Sequence, residues 1–150
     1  MEVQQINRED PEVITLVVKN VDGSGSMTTG MGVSLANAGA SVDGISAIKY
    51  AATNVESFRG IAQKDIAINA FGKVIAEGLA NSVLISHVGT SITITLGDML
   101  KPGAVAGTFF SSLTDQAIST LLYRYVYAAT TPVAVSTLAQ SYCKGIVKAL

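Results

Sequence analysis

Phe58-Arg59-Gly60-Ile61-Ala62-Gln63-Lys64-Asp65-Ile66-Ala67-Ile68-Asn69-Ala70-Phe71-Gly72-Lys73-Val74-Ile75-Ala76-Glu77-Gly78 reads as strand, short connector, strand, with a glycine wherever the backbone must bend or approach another strand. The neighbouring segments carry the same signals. Val13 to Val21 has the β-branched richness of a buried strand and stops at the turn Asp22-Gly23-Ser24-Gly25-Ser26. Gly30 to Leu35 and Ile45 to Ala51 are further short strands, separated by the stretch Asn37 to Gly44. Asn81 to Ser86 leads to Ser91-Ile92-Thr93-Ile94-Thr95-Leu96, whose strict alternation of hydroxyl and aliphatic side chains is the period of a half-buried strand. Gly97 to Gly103 then ends it by turn chemistry.

Beyond that turn, Thr108 to Phe110, Leu121 to Tyr127 and Tyr142 to Leu150 are strand candidates. Ser112 to Ser119, with Thr114 as N-cap, and Val133 to Ser141 after Pro132 are predicted as short helices. The sum is a mainly β fold: an antiparallel β barrel or sandwich of about eight to ten short strands with one or two short helices. Lys144 and Lys148 are expected to protect an exposed edge in the last strand.

A chain of 150 residues is the size of one domain, burying roughly two thirds of its unfolded surface. Residues 13–150 are expected to form that single β-rich domain. Residues 1–12 hold Glu2, Arg8, Glu9, Asp10, Glu12 and Pro11 and little that could be buried, which predicts a flexible N-terminal arm. Fully extended, such an arm reaches about 40 Å, far enough to touch a neighbouring subunit.

Charged residues make up 14% of the chain and hydrophobic ones 49%, whereas an ordinary soluble domain is about 25% charged. The shortage leads to the expectation of surface buried against other chains, because interface cores are depleted in charge; a compact, poorly soluble monomer is the alternative. The formal net charge of −1, with its basic residues scattered, offers no electrostatic footprint for nucleic acid. The longest uncharged stretch, Tyr125 to Cys143, contains Thr130, Thr131, Pro132, Ser136, Thr137, Gln140 and Ser141, too polar for a membrane span. The first residues lack the cationic start and apolar stretch of a secretory signal. Cys143 is the sole cysteine, so no internal disulfide is expected and packing is its predicted role.

The residue pattern offers little chemistry. His87 is the one histidine, and neither a zinc-ligand spacing nor a nucleophile elbow accompanies it. Gly23-Ser24-Gly25 and Gly30-Met31-Gly32 lack the third glycine of a dinucleotide loop, and the turn at Asp22 lacks the further ligands of a calcium loop. Asp65, Asp98 and Asp115, or Glu56 and Glu77, could meet in space as a hydrolytic carboxylate pair, a coincidence that any eleven acids can produce. No enzymatic activity and no cofactor or metal are expected. Arg59, flanked by apolar residues, calls for a carboxylate or carbonyl partner. Tyr123, Tyr125 and Tyr127 fall on one face of a strand, beside Arg124. These four are candidates for an oligomer interface, where Tyr and Arg are enriched; ordinary cross-strand packing accounts for them equally.

The succession Met27-Thr28-Thr29-Gly30-Met31-Gly32-Val33, then Phe58 to Ala62, then Asn69-Ala70-Phe71-Gly72-Lys73-Val74-Ile75-Ala76-Glu77-Gly78 resembles small tailed-phage virion proteins of the capsid decoration, or cement, type. The likeness covers residues 26–85. It implies a β-rich structural protein of the virion exterior, made in the host cytoplasm, with the major capsid protein and copies of itself, commonly as a homotrimer, as partners. It implies no catalytic site. In that picture Arg8, Glu9, Asp10, Pro11 and Glu12 belong to an arm that contacts the capsid. The alternative expectation is a phage tail, knob or fibre-associated subunit whose Ser91, Thr93 and Thr95 face a polar glycan on a host surface. From a different class, a small hydrolase would draw on Asp65, Asp98 and Glu77.

Overall fold

Strands follow one another through the chain in a computed structural model that describes residues 13–36, 45–51, 53–54, 57–86, 92–102, 105–111, 125–129, 133–135 and 140–149. They are β1 (Ile14–Asn20), β2 (Gly32–Leu35), β3 (Ser46–Lys49), β4 (Phe58–Ala62), β5 (Phe71–Ser86), β6 (Ile92–Ile94), β7 (Met99–Pro102), β8 (Phe109–Ser111), β9 (Tyr125–Ala128), β10 (Val133–Val135) and β11 (Gln140–Lys148). The described residues contain no helix. The fold is mainly β, built on a closed five-stranded barrel with further strands attached.

The strand pairing explains the architecture. β1 joins β3, β3 joins β2, β2 joins β4, β4 joins β5, and β5 returns to β1. A ring of five strands cannot have every neighbour antiparallel, since each antiparallel contact reverses direction and an odd number of reversals never closes. One parallel contact is therefore required. It is β1 with β3, through Lys19↔Ser46 and Asn20↔Ala47. The same parity governs a second circuit, β5–β11–β9–β7–β8, which returns to β5 through the parallel bridge Ile85↔Phe109. β6 and β10 form a separate ribbon.

Both circuits use β5, the 16-residue strand. Its first half carries β1 and β4, and its second half carries β11 and β8. The handover falls at Glu77, opposite Ile14 on one edge and Lys148 on the other, and at Gly78, whose φ is +105°. Where the circuits share it the strand is buried on both sides, through consecutive Val74, Ile75 and Ala76 and again Val83 to Ser86, while Phe71 and Lys73 at its start stay exposed. Val74 lies in the cluster with Val18, Met27, Val33, Ala47, Ala62 and Ile66, inside the first circuit. The next residue, Ile75, lies in the cluster of the second, with Ile61, Val83, Ile85, Leu100, Phe109, Val126, Cys143 and Val147. On β4 the same division separates Ala62 from Ile61.

Tyr50, Phe58 and Phe109 fasten the circuits together. Their ring centroids lie 4.8 Å (Tyr50–Phe58), 5.2 Å (Tyr50–Phe109) and 6.0 Å (Phe58–Phe109) apart, within the favourable range for aromatic pairs. Gly107 bridges the same junction, donating to Tyr50 O and accepting from Gly32 N. Asn20, fully buried, is also fully used. Its Nδ2 donates to Ile66 O at 2.9 Å and Gly25 O at 3.3 Å, and its Oδ1 accepts from Asp22 N at 2.9 Å.

The strands expected at Val13–Val21, Gly30–Leu35, Ile45–Ala51, Phe58–Ala62, Ser91–Leu96, Thr108–Phe110 and Tyr142–Leu150 are present, with shifted ends. The helix expected over Val133–Ser141 is not. Val133, Ala134 and Val135 pair with Ile94, Thr93 and Ile92, and Gln140 and Ser141 already belong to β11; β-branched residues with a waiting partner strand form sheet. Asn81–Ser86, read as a separate strand, is the continuation of β5. The turn expected over Gly97–Gly103 is confined to its first residues, and Met99–Pro102 is β7. Lys144 and Lys148 guard no edge, because β11 is paired to β5 on one side and β9 on the other. Ser112–Ser119 lies outside the described residues.

Gly60 is the narrowest point of the shared wall. Its φ is +144°, and a Cβ there would stand 2.1 Å from the Ile75 carbonyl oxygen. A methyl group has no place against fixed backbone, and the conformation is strained for any L side chain. Gly60→Ala is expected to cost about 2–4 kcal/mol in denaturant unfolding. Gly23→Ala, with nothing within 4 Å of its Cβ, should stay within about 0.5 kcal/mol of the parent.

Candidate functional surface

The residues proposed for an interface divide by where they fall. Tyr123, Arg124 and the segment Arg8, Glu9, Asp10, Pro11 and Glu12 lie outside the described residues. Tyr125 enters β9 opposite Lys148, and Tyr127, half-buried, stands between Ile146 of β11 and Met99 of β7. Ile146 points outward from β11, and so do its companions. Cys143, Gly145, Val147 and Ala149 turn inward, while Tyr142, Lys144, Ile146 and Lys148 turn to solvent. Tyr142 is 53% and Ile146 49% exposed. The stripe Tyr-x-Lys-x-Ile-x-Lys therefore presents two large apolar groups interleaved with two ammonium groups. Sequence reasoning assigned its lysines to edge protection and missed the face. The signal was the unbroken alternation from Tyr142 to Ala149, whose inward members are all small or aliphatic.

A second outward patch lies on the first circuit. Val17, opposite Lys73, and Phe71, opposite Lys19, are diagonal neighbours across β1 and β5. They are 56% and 65% exposed. Both patches combine apolar groups with lysine, and Glu77 stands opposite Lys148 at the end of the first.

The carboxylates are occupied elsewhere. Asp65 accepts from Thr29 N at 2.7 Å and Thr29 Oγ1 at 2.9 Å. Asp98 accepts from Thr95 N at 2.8 Å and Thr95 Oγ1 at 2.9 Å, which closes the turn before β7 and engages the Thr95 hydroxyl. Thr93 is exposed beside buried Ile94; Ser91, His87, Glu56 and Asp115 lie outside the described residues. Glu77 stands opposite Lys148. Arg59 Nη1 donates to the Phe58 carbonyl at 3.3 Å, a carbonyl partner within the same chain. Among the described residues no group of three or more His, Cys, Asp or Glu side chains could hold a metal ion, and no helix is long and apolar enough to cross a membrane. Burial pushes the Cys143 thiol up to about 11, so at neutral pH it stays protonated and serves packing.

Two surface clefts flank the β4–β5 connector. One, of about 320 Å³, is lined by Thr29, Gln63, Lys64, Asn81 and Ser82 among others. The other, of about 450 Å³, includes Lys64, Asp65, Phe71 and Lys73. Asp65, the carboxylate in the second, is already tied to Thr29.

No protein-family model matches the chain, and no curated protein matches it.

Two carboxyls give the fold a pH dependence. At Asp22, burial raises the carboxyl, but bonds from the Ser24 hydroxyl and from the Lys49 and Ser24 amides, with the Lys49 charge, outweigh it and hold the group below the ordinary range. The Thr29 amide and hydroxyl do the same for exposed Asp65. A folded value below the unfolded one, about 3.9, contributes stability above that pH, lost as pH falls through the folded value. Denaturant midpoints taken from about pH 6 down to about pH 2 should hold and then fall on the acid side, and Asp22→Asn should flatten the fall.

Proposed function

We propose that this chain is a structural protein of a virion: a capsid decoration, or cement, protein that sits on the outer face of an icosahedral phage head and stabilises contacts between major capsid subunits. The observation that carries the reading is the outward face of β11, where Tyr142 and Ile146 stand half exposed among lysines beside Tyr127. A side-chain pattern of this kind suits burial against another protein, since aromatic anchors supply contact area at interface cores. The shortage of charge in the chain as a whole, 14%, and the resemblance over residues 26–85 support the same conclusion.

The mechanism is linkage. A protein that binds only the assembled lattice stabilises it by mass action, and joining several copies into a homotrimer raises the effective concentration of each contact. The tyrosine-bearing face packs subunit against subunit, and residues 1–12 reach across a subunit boundary. The protein then resides on the capsid exterior after synthesis in the host cytoplasm.

Light scattering of the purified chain should give a stable trimer, and purified particles should carry it in hundreds of copies. A tail or fibre component would number in tens or fewer. Removing residues 2–12 should lower shell occupancy about tenfold or more through lost avidity while leaving the unfolding midpoint unchanged. A solitary chain with undiminished occupancy after that deletion would overturn the reading.

A further inference from the structure

The ladder between β5 and β11 slips at one place. Cys143 pairs with Val83 and Gly145 with Ala80, so Asn81 and Ser82 together stand against Lys144 alone. That is a β-bulge, a feature that re-aims side chains and recurs beside functional sites. Packing does not call for polar residues at this point of the strand, since Ala80 and Val83 on either side are 1% and 0% exposed. Both bulged residues line the cleft of about 320 Å³ at the end of β4.

The cleft is assembled from separately fixed pieces. The loop before β2 is held by Gly30, which donates to Ala62 O and accepts from Leu84 N, each at 2.9 Å. A Cβ at Gly30 would stand 3.3 Å from Ser82 O, so this loop lies against the bulge. Gln63, just past β4, donates its N–H to Lys73 O at 3.0 Å. Ala62 and Ile75, nearly buried, form an apolar floor. Around it stand Thr29, Gln63, Lys64, Asn81 and Ser82. Among the described residues, the last four make no side-chain hydrogen bond or ion pair within the chain.

We propose that this cleft is a carbohydrate subsite that takes a single saccharide unit. Gln63 and Asn81 each offer two donors and an acceptor, and Ser82 offers a donor and lone pairs. Thr29 Oγ1 already gives its proton to Asp65 at 2.9 Å, so toward a ligand it can only accept. A molecule that uses these groups must donate and accept at several closely spaced points and lay carbon against Ala62 and Ile75. A sugar ring does so with its hydroxyls and its C–H face. Sulfate has no proton for Thr29, and a flat aromatic ligand finds no ring to stack on among the described lining residues. The size fits as well, because about 300 Å³ is the lower end of ligand sites, enough for one ring with the rest of a glycan left in solvent. The inference stands on the cleft alone and holds or fails independently of the virion reading and of oligomeric state.

The test titrates the full chain, isotope-labelled for heteronuclear NMR, with D-galactose, N-acetyl-D-glucosamine and D-glucuronate, and with sodium sulfate as the anion control. At least one sugar should give saturable, millimolar-range shifts at the side-chain amides of Gln63 and Asn81 and the backbone amides of Thr29 and Gly30. Asn81→Ala and Gln63→Ala, both at exposed positions, should each weaken that binding about threefold to tenfold, the net worth of one hydrogen bond, with the unfolding midpoint unchanged. The proposal is overturned by silence from all three sugars, by a response to sulfate alone, by saturation centred elsewhere, as at Thr93, or by alanine variants that bind as the parent does.

Discussion

Everything in this structure depends on one strand being asked to complete two rings. β5 is long enough, at 16 residues, to serve five-stranded circuits at each end, and each circuit alone would be small. A lone five-stranded ring has an interior for only a handful of side chains, such as the seven-member cluster around Val33 and Val74. Setting a second core against the outer side of the β4–β5 wall turns what would be a wetted surface into interior. Ile61 and Ile75 are buried for that reason, at 0% and 7% exposure. At about 25 cal/mol per Å², the apolar area hidden along this wall is the main return on fusing the rings.

Two-sided burial constrains the residues that build the wall. Facing strands must come close, and the Gly60 position, where the backbone carbonyl of Ile75 occupies the space of a side chain, is where the closeness is greatest. The register shift between Val33 and Ser34, where β2 passes from Gly60 to Phe58, accommodates the same bend with a bulge, the usual way a barrel turns a corner. Hydrogen-bond satisfaction follows the same economy. Ser86 and Thr108, both buried, share a bond of 2.6 Å, and Thr108 Oγ1 also donates to Val105 O at 2.6 Å, so the polar groups trapped between circuits serve one another.

Much of this could be read from the residues and some could not, for identifiable reasons. Phe58–Gly78 declared its two strands because its glycines and β-branched residues are local signals. That β5 continues through Asn81 and Ser82 was hidden because polar residues normally mark a strand's end; here they lie near the loop at Thr29 and Gly30, whose Gly30 carbonyl accepts from Leu84 N. Val133–Val135 looked helical after Pro132 because the partner that makes it a strand, β6, lies some forty residues upstream. No local propensity encodes a distant partner. The tyrosines of the sequence pointed to β9, whereas the outward face next to Tyr127 is that of β11, with Tyr142 and Ile146 half exposed.

The distribution of charge then bears on how such a body would work in the proposed role. Lysine on an apolar face reduces unwanted edge and patch association while leaving a surface that an acidic partner can neutralise. Among the described residues, Asp22 and Asp98 hold their own turns and Asp65 is tied to Thr29. In the proposed role each contact made by such a face is weak alone and strong when several are linked. A lattice-bound protein in that role gains from linked contacts, which tighten when its neighbours are held in place.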